Sequence, residues 1–397
     1  MDNGIKEYHY IIRCDDPLAA FPDQLADVLD KIKDISEGRI LFFLRFFISD
    51  AANQQDAVMK AMKERGIMQA SVIQQPPLDG SKISAWLWTM EGELNAGYTH
   101  KVTYALTSDA PSSMEQMDSI FASYDSQLGD LGMSVADDCV RTWIFVRDVD
   151  TNYAGVVVGR RNYFDTVGLT ADTHYIASTG IQGAHSDFRR LVVMDAYAVK
   201  GLKPGQVRYL QGKSHLNPTY EYGVTFERGT SITYGDRKHI FISGTASIDN
   251  KGRILHEGDV KAQAVRMMEN ISALLAEAGA STDDIKSAIL YLRDASDYAS
   301  VSALFKERWP MIDPVFVQAP VCRPGWLVEM ECVAALMEDN IGYPPLYKVS
   351  SLRQQGRDDE VKAIRESYVA RTRQMARNVG KESTLGKFLN SRFPENK

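Results

Sequence analysis

One order of elements occurs three times in this chain, and that recurrence limits the possible folds more than any other feature of the sequence. Switches of hydrophobic period between 2 and 3.6 predict strand, helix, strand, helix, strand, strand over residues 8–13, 17–33, 40–48, 54–65, 70–73 and 83–90. The same order returns over 100–106, 112–131, 142–146, 153–164, 175–177 and 191–199. After Lys203-Pro204-Gly205 it returns again, over 240–243, 260–278, 288–292, 298–309, 315–318 and 326–335. A strand ending in aspartate marks each copy, as Ile48-Ser49-Asp50, Val146-Arg147-Asp148 and Leu292-Arg293-Asp294. In the second and third copies Asp148 is followed by Tyr153-Ala154, and Asp294 by Tyr298-Ala299. A period of roughly 100–130 residues belongs to domains rather than solenoids, because each copy can bury its own core. The expected fold class is α+β, with two helices packed on one face of each mixed sheet. The expected units are 1–98, 99–204 and 205–338, followed by a polar, helix-prone tail at 339–397.

The third copy ends by carrying acid into apolar sequence. Residues 315–318 and 326–335 flank the turn-forming Cys322-Arg323-Pro324-Gly325 and read as adjacent strands. Side chains of a strand alternate faces, so Glu329 and Glu331 share one face while Val328, Met330 and Cys332 share the other. If the acidic face meets water it merely solubilises the sheet. If it meets a closed cleft, desolvation keeps a carboxyl neutral and lets it donate a proton near neutral pH. Laying Leu191-Val192-Val193-Met194-Asp195 over Leu327-Val328-Glu329-Met330-Glu331 sets Glu329 against Val193, so the acid is peculiar to the third copy.

Composition narrows the functional classes. With 44% hydrophobic and 24% charged residues among 397, the chain is an ordinary globular protein with no apolar run long enough for a membrane helix. Met1-Asp2-Asn3-Gly4 opens without a basic-then-apolar leader, which makes the cytoplasm the expected location. A net charge of -7 argues against a nucleic-acid surface while leaving room for a local basic pocket that holds a small anion. Cys14, Cys139, Cys322 and Cys332 show no CxxC spacing, and the 7 histidines form no HxH or HExxH pattern. Free thiols, no metal and no other cofactor are expected.

Gly258-Asp259-Val260 opening a helix, Ile242-Ser243-Gly244-Thr245 on a strand and Leu327-Val328-Glu329-Met330-Glu331 resemble the Rid/YjgF (endoribonuclease L-PSP-like) family. The resemblance implies chorismate-mutase-like α+β units, sites between units, and hydrolysis of enamines and imines. A longer set of motifs resembles the chorismatase branch, single chains similar to a fused Rid trimer that hydrolyse the enolpyruvyl ether of chorismate. These motifs are Arg141-Thr142-Trp143, Arg160-Arg161-Asn162-Tyr163-Phe164, Ala177-Ser178-Thr179-Gly180-Ile181, Tyr222-Gly223 with Phe226-Glu227-Arg228, Ser243-Gly244-Thr245-Ala246-Ser247, and Cys322-Arg323 ahead of Glu329. Where Rid enzymes carry an arginine for a substrate carboxylate, this chain reads Ile312-Asp313-Pro314-Val315, which argues against plain imine hydrolysis.

What the resemblance implies can be assigned residue by residue. Cleaving that ether with water requires protonation of the enol methylene carbon and then water addition to an oxocarbenium ion, and Glu329 is the expected general acid. Planar bidentate donors suit the two substrate carboxylates. The candidates are Arg160, Arg161, Arg323, and Arg228 after the first strand of the third copy. Successive helix positions diverge by about 100°, so at most one of Arg160 and Arg161 faces the site. Ser178 and Gly180 belong either to a simple turn or to a turn whose amides point at an anion, and Ser243-Gly244-Thr245-Ala246 reads the same way. Cys322 reads as a small pocket wall or a buried filler, and with no histidine nearby in sequence it is not expected to be a nucleophile. Tyr222 either hydrogen-bonds the substrate or is a core tyrosine. The expected partner is a small anionic substrate. Two alternatives stay open: a Rid-type enzyme for another small anionic enamine or enol ether, and a non-catalytic pseudo-trimer that binds a partner. Three internal repeats can satisfy one another around a pseudo-threefold axis, so light scattering is expected to return the mass of one chain. A stable homotrimer held by the repeat faces would overturn that expectation.

Overall fold

The computed structural model describes residues 6–348 and, beyond them, Asp359, Lys362, Ala363, Glu366 and Ser367. Its first unit runs β1 (Lys6–Arg13), α1 (Phe21–Ser36), β2 (Ile40–Ile48), α2 (Ala51–Glu64), β3 (Ser71–Gln74) and β4 (Ile83–Glu91). The second runs β5 (Thr99–Leu106), α3 (Ser113–Gly129), the single turn α4 (Val135–Asp138), β6 (Cys139–Val146), α5 (Val149–Val167), β7 (Ala177–Gln182) and β8 (Val192–Lys200). The third places β9 (Val207–Leu210) and β10 (Gly229–Thr233) ahead of β11 (Arg237–Ala246), α6 (Val260–Glu277), β12 (Ile285–Leu292), α7 (Tyr298–Arg308), β13 (Val315–Gln318) and β14 (Val328–Met337). The fold is α+β and threefold repeated. Among the described residues no helix is long and apolar enough to cross a membrane.

Local chemistry explains where the helices begin. The Ser112 hydroxyl accepts from Glu115 N at the start of α3, and Asp259 accepts from Ala262 N at the start of α6. α1 starts at Phe21 rather than at the expected residue 17, because Pro22 suits the first turn of a helix. Two short strands escape the sequence pattern. β9 and β10 carry too few alternating apolar residues (Val207, Tyr209 and Leu210; Ile232) to show a period of 2.

The sheets have the orders β1-β4-β2-β3, β5-β8-β6-β7 and β13-β12-β14-β11-β10-β9. In each, one strand follows its helix back to lie parallel to an earlier one, as β3 beside β2, β7 beside β6 and β13 beside β12. This corrects the expectation that residues 315–318 pair with the acidic strand. β12 lies between β13 and β14, because a strand-helix-strand crossover through α7 sets β13 parallel to β12.

Period-2 alternation divides each strand between two cores. Leu44, Phe46 and Ile48 of β2 pack with Val28, Leu29 and Ile32 of α1. Val192, Met194 and Ala196 of β8 pack with Met117 and Ile120 of α3. The opposite faces, with Phe43, Phe47, Trp86, Trp88, Trp143 and Tyr197, merge into a central core that also holds Phe241 and Ile242 of the third unit. Three isolated bridges link the units in a cycle: Gln74 with Ala184, Ile181 with Val321, and Val317 with Pro77.

That central core also buries charge. Arg45, fully buried on β2, donates from Nε and Nη2 to Asp195 Oδ2 of β8 at 3.0 and 2.8 Å. Its Nη1 lies 3.8 Å from Glu331 Oε1 of β14, so one guanidinium joins all three units.

The tail also departs from expectation at its start. Leu346 and Tyr347 are buried, Leu346 N donates to Asp236 Oδ1 at 2.6 Å, and Tyr347 bridges Leu94 of the first unit. These two apolar anchors tie the segment after β14 to the first and third units, so the expected tail begins as part of the core. The rest of 349–397 lies outside the described residues, apart from the five named above, which are helical and exposed. Removing one member of a buried ion pair strands the other, so Asp195→Asn is expected to cost about 3–5 kcal/mol, read as a lower urea midpoint. An unchanged midpoint would show that Arg45 does not depend on Asp195.

Candidate active site

The strand registers show what became of three equivalent positions. Ile48 faces Ile83, Val146 faces Val192 and Leu292 faces Val328, so the next residues, Ser84, Val193 and Glu329, occupy one position in the three units. The seams beside them differ. Between the third and first units, Arg13 Nη1 pairs with Asp313 Oδ2 at 2.8 Å and its Nη2 donates to Pro314 O at 2.9 Å. Between the first and second, the Tyr104 hydroxyl of β5 accepts from Leu44 N of β2 at 3.3 Å. Between the second and third, Glu329 faces a cavity whose empty space, counted together with its opening to solvent, is about 530 Å³.

Both units build this cavity. The second contributes Tyr153 and Arg160 from α5, with Ser178 and Gly180 from β7. The third contributes Phe226 and Arg228 from the segment before β10, Gly244 and Ala246 from β11, and Cys322, Arg323, Trp326 and Glu329 from the β13–β14 connection and β14.

Glu329 is 5% exposed, and among the described residues no group hydrogen-bonds its carboxyl. Burial raises its pKa from 4.5 to about 8; the charge of Glu331 adds to the rise, and Arg228 and Arg141 oppose it. The carboxyl therefore keeps its proton at neutral pH. Gly244 makes room for it, since a Cβ there would run into Glu329 Oε1. The strand register shifts between Ile242 and Thr245 at this point, and the bulge aims the backbone of Gly244 at the acid.

Neither expected reading of the small-residue motifs survives. Ser178-Thr179-Gly180 is not a turn but the middle of β7, paired in parallel with β6. Ser243-Gly244-Thr245 is likewise inside β11. The amides of Ser178 and Gly244 do not point at a free anion either: Ser178 N donates to Ser243 Oγ at 2.9 Å, and Gly244 N donates to Thr179 Oγ1 at 2.9 Å. Cross-seam hydroxyls take those donors. The side chains serve the site instead, with Arg160 Nη1 donating to Ser178 Oγ at 3.5 Å and Thr142 Oγ1 donating to it at 2.9 Å.

The arginines divide as helix geometry requires. Arg160 is buried, donates from Nε to Thr225 Oγ1 at 3.1 Å and lies 5.8 Å from the Phe226 ring. Arg161 points away, is exposed, and donates to Gly223 O. Arg228 follows β9, the first strand of its unit, and immediately precedes β10; its Nη2 donates to Asn217 O at 3.0 Å. The Arg323 guanidinium lies 4.8 Å from the Trp326 ring. Ala246 and Cys322 both line the cavity. The Cys322 thiol is pushed up to about 12 by burial and by the neighbouring Glu329 charge, so it stays protonated. Tyr222 belongs to the 3-10 turn Thr219–Tyr222, and its side chain lies outside the described residues. Sequence reasoning missed Tyr153, Thr179, Phe226, Gly244 and Trp326 as site residues. All but Trp326 stand inside motifs already singled out, but nothing in a linear pattern tells which side of a seam they face. Among the described residues no three His, Cys, Asp or Glu side chains gather as a metal site would require.

The sign of the Glu329 shift makes a stability prediction. Below about pH 4.5 the carboxyl is protonated in folded and unfolded chains alike and costs nothing. Between 4.5 and about 8, unfolding releases its proton, so Glu329 increasingly destabilises the fold as pH rises. Glu329→Gln is therefore expected to raise the melting temperature more at pH 8 than at pH 4.5. Equal gains at both would mean that the acid is not buried as a neutral group.

Residues 231–336 match the family described as Endoribonuclease L-PSP. Over 97 residues, 24% of this chain, the sequence is 37% identical to a RutC family protein of Pyrococcus abyssi (strain GE5 / Orsay), covering 76% of that protein. It is 31% identical, also over 97 residues, to the 3-aminoacrylate deaminase RutC of Acinetobacter baylyi, covering 77% of it. A crystal structure of a chorismatase matches with a TM-score of 0.61 at 17% identity, over 83% of this chain and 98% of that one. The last likeness establishes a shared fold along nearly the whole of that protein.

Proposed function

Because this chain belongs to the RutC family of endoribonuclease L-PSP-like proteins, we propose that the cavity between its second and third units is the active site of a chorismatase-like hydrolase. The observation that carries this reading is one buried carboxyl, Glu329, with its pKa raised by that burial to about 8, facing a cavity that Arg160, Arg228 and Arg323 also line. An acid and three cations are what a dianionic enol ether requires. The arginines receive the two carboxylates of the substrate. Glu329 transfers its proton to the enol methylene carbon, and its anion then faces the oxocarbenium ion. Water adds to that cation, losing a proton to Glu329, and the hemiketal collapses to pyruvate and the ring alcohol, a dihydroxycyclohexadiene acid; elimination of one water from that diol would give a hydroxybenzoate instead. Trp326 and Phe226 supply apolar walls for the ring. The working unit is a single chain.

The 31% identity to a 3-aminoacrylate deaminase favours one other reading, in which the same acid protonates a small enamine acid. Two features support the larger substrate: the cavity holds three arginines, and the segment 312–315, where Rid enzymes carry their arginine, has none, its Asp313 pairing with Arg13 at another seam. Incubation with chorismate is expected to release pyruvate, with Glu329→Gln slower by roughly 10²–10⁴ and kcat/KM falling above about pH 8 as the acid ionises. Release of ammonia from an enamine acid, with none of pyruvate from chorismate, would replace this reading with the second.

A further inference from the structure

We propose that Glu331 is a positioning residue for this reaction and that the first unit, which lines none of the cavity, acts on the acid through it: Arg45 and Arg141 hold Glu331 as an anion, and that anion keeps the proton on Glu329. The proposal rests on the reading of Glu329 as the acid, and it begins from a count of charges. Arg45 and Arg141 are buried among three buried carboxyls, those of Asp195, Glu331 and Glu329. These two cations pair with only two of the three carboxyls, while Arg160 and Arg228, also buried, lie on the cavity side where the substrate would bind.

Geometry decides which carboxyl the two arginines leave over. Asp195 Oδ2 accepts from Arg45 at 2.8 and 3.0 Å, and its Oδ1 accepts from Ala105 N at 2.8 Å. Glu331 Oε2 accepts from Arg141 Nη2 at 2.8 Å, and its Oε1 accepts from Trp143 Nε1 at 2.8 Å with Arg45 Nη1 3.8 Å away. Every oxygen of these two carboxyls already faces a donor, and a proton on any of them would oppose another hydrogen. Glu329 accepts no hydrogen bond from any described residue and so takes the proton. Two residues apart on β14, the two carboxyls share a face, and the fixed charge on Glu331 opposes ionisation of Glu329.

The other groups that face Glu329 fit this assignment. Arg141 of β6 and Arg228 before β10 pull toward ionisation, and Arg228 is partly occupied by Asn217 O at 3.0 Å. Arg160 of α5 and Arg323 of the connection line the same cavity, and two substrate carboxylates would neutralise their pull. Tyr291 of β12, opposite Glu329 in register, has its phenol held well above its usual range by burial, and Cys322 stays a thiol; both are neutral. Tyr153 of α5 is the remaining titratable wall.

The test titrates Glu329 directly, in protein carrying 13C-labelled glutamate carboxyls, with the resonance assigned by its loss in Glu329→Gln. Glu331→Gln leaves Arg45 and Arg141 in excess, and the Glu329 midpoint is expected to fall by about 1–3 pH units. Arg45→Met has the opposite effect on the count and is expected to raise the midpoint, while Arg45→Met with Glu331→Gln brings it back toward the parent value. In turnover assays the alkaline limb of kcat/KM should move with the midpoint and KM should hold. Midpoints unchanged in both single variants, with kcat lowered equally at every pH, would overturn the proposal and leave Glu331 a structural residue. The titration needs no substrate: shifted midpoints in a protein that releases no pyruvate would retain this inference and reject the chorismatase reading.

Discussion

Arg45 stands in the middle of an otherwise apolar strand, Ile40–Ile48, and it can be buried there only because carboxylates from the other two units reach it. Taking a guanidinium out of water costs several kcal/mol, and the interior offsets that cost only when the geometry of its partners is complete. Asp195 and Glu331 complete it from β8 and β14, while Phe43, Trp143 and Phe145 surround the guanidinium with ring centroids 4.8–5.1 Å away. The three sheets are thus held in one rotational order by a charge that no single unit can satisfy. Hydrophobic burial supplies most of the stability of such a centre, but apolar faces alone would tolerate sliding. A directional ion pair does not.

The same centre connects architecture to chemistry. Glu331 closes the ion network with one pair of contacts, to Arg141 and Trp143, and shares its face of β14 with Glu329. Thr179 reinforces the connection, since its hydroxyl accepts from Arg141 at 2.6 Å and from Gly244 N at 2.9 Å, and Gly244 is the residue whose missing side chain makes room for the acid. Structure and reactivity therefore draw on one set of contacts, which is economical but leaves little freedom to change either alone.

Repetition followed by divergence accounts for the rest. Ser84, Val193 and Glu329 occupy one register position, yet one seam is closed by an Arg13–Asp313 pair, another is crossed by Tyr104, and the third is open and acidic. A homotrimer must repeat each residue at every seam. A fused chain can keep one site and use the other two seams for cohesion.

The sequence by itself determined the α+β class, the threefold repeat and most element positions, because period 2 and period 3.6 are local properties written in side-chain polarity. It also singled out Glu329 by strand alternation, and the arginines through the motifs that carry the family resemblance. It did not determine that β12 separates β13 from β14, that Ser178-Thr179-Gly180 lies within a strand, or that Leu346 and Tyr347 are core. Each of those depends on partners distant in the chain: a crossover sets strand order, a neighbouring ladder turns a glycine-bearing motif into a strand, and a seam between units buries an apolar pair. The charge state of Glu329 belongs to the same class. A strand pattern places it beside Glu331, but only the packing of the second unit on the third removes water from it and brings Arg45, Arg141 and Asp195 within reach, so tertiary structure alone decided that this carboxyl is buried as an acid rather than solvated as an anion.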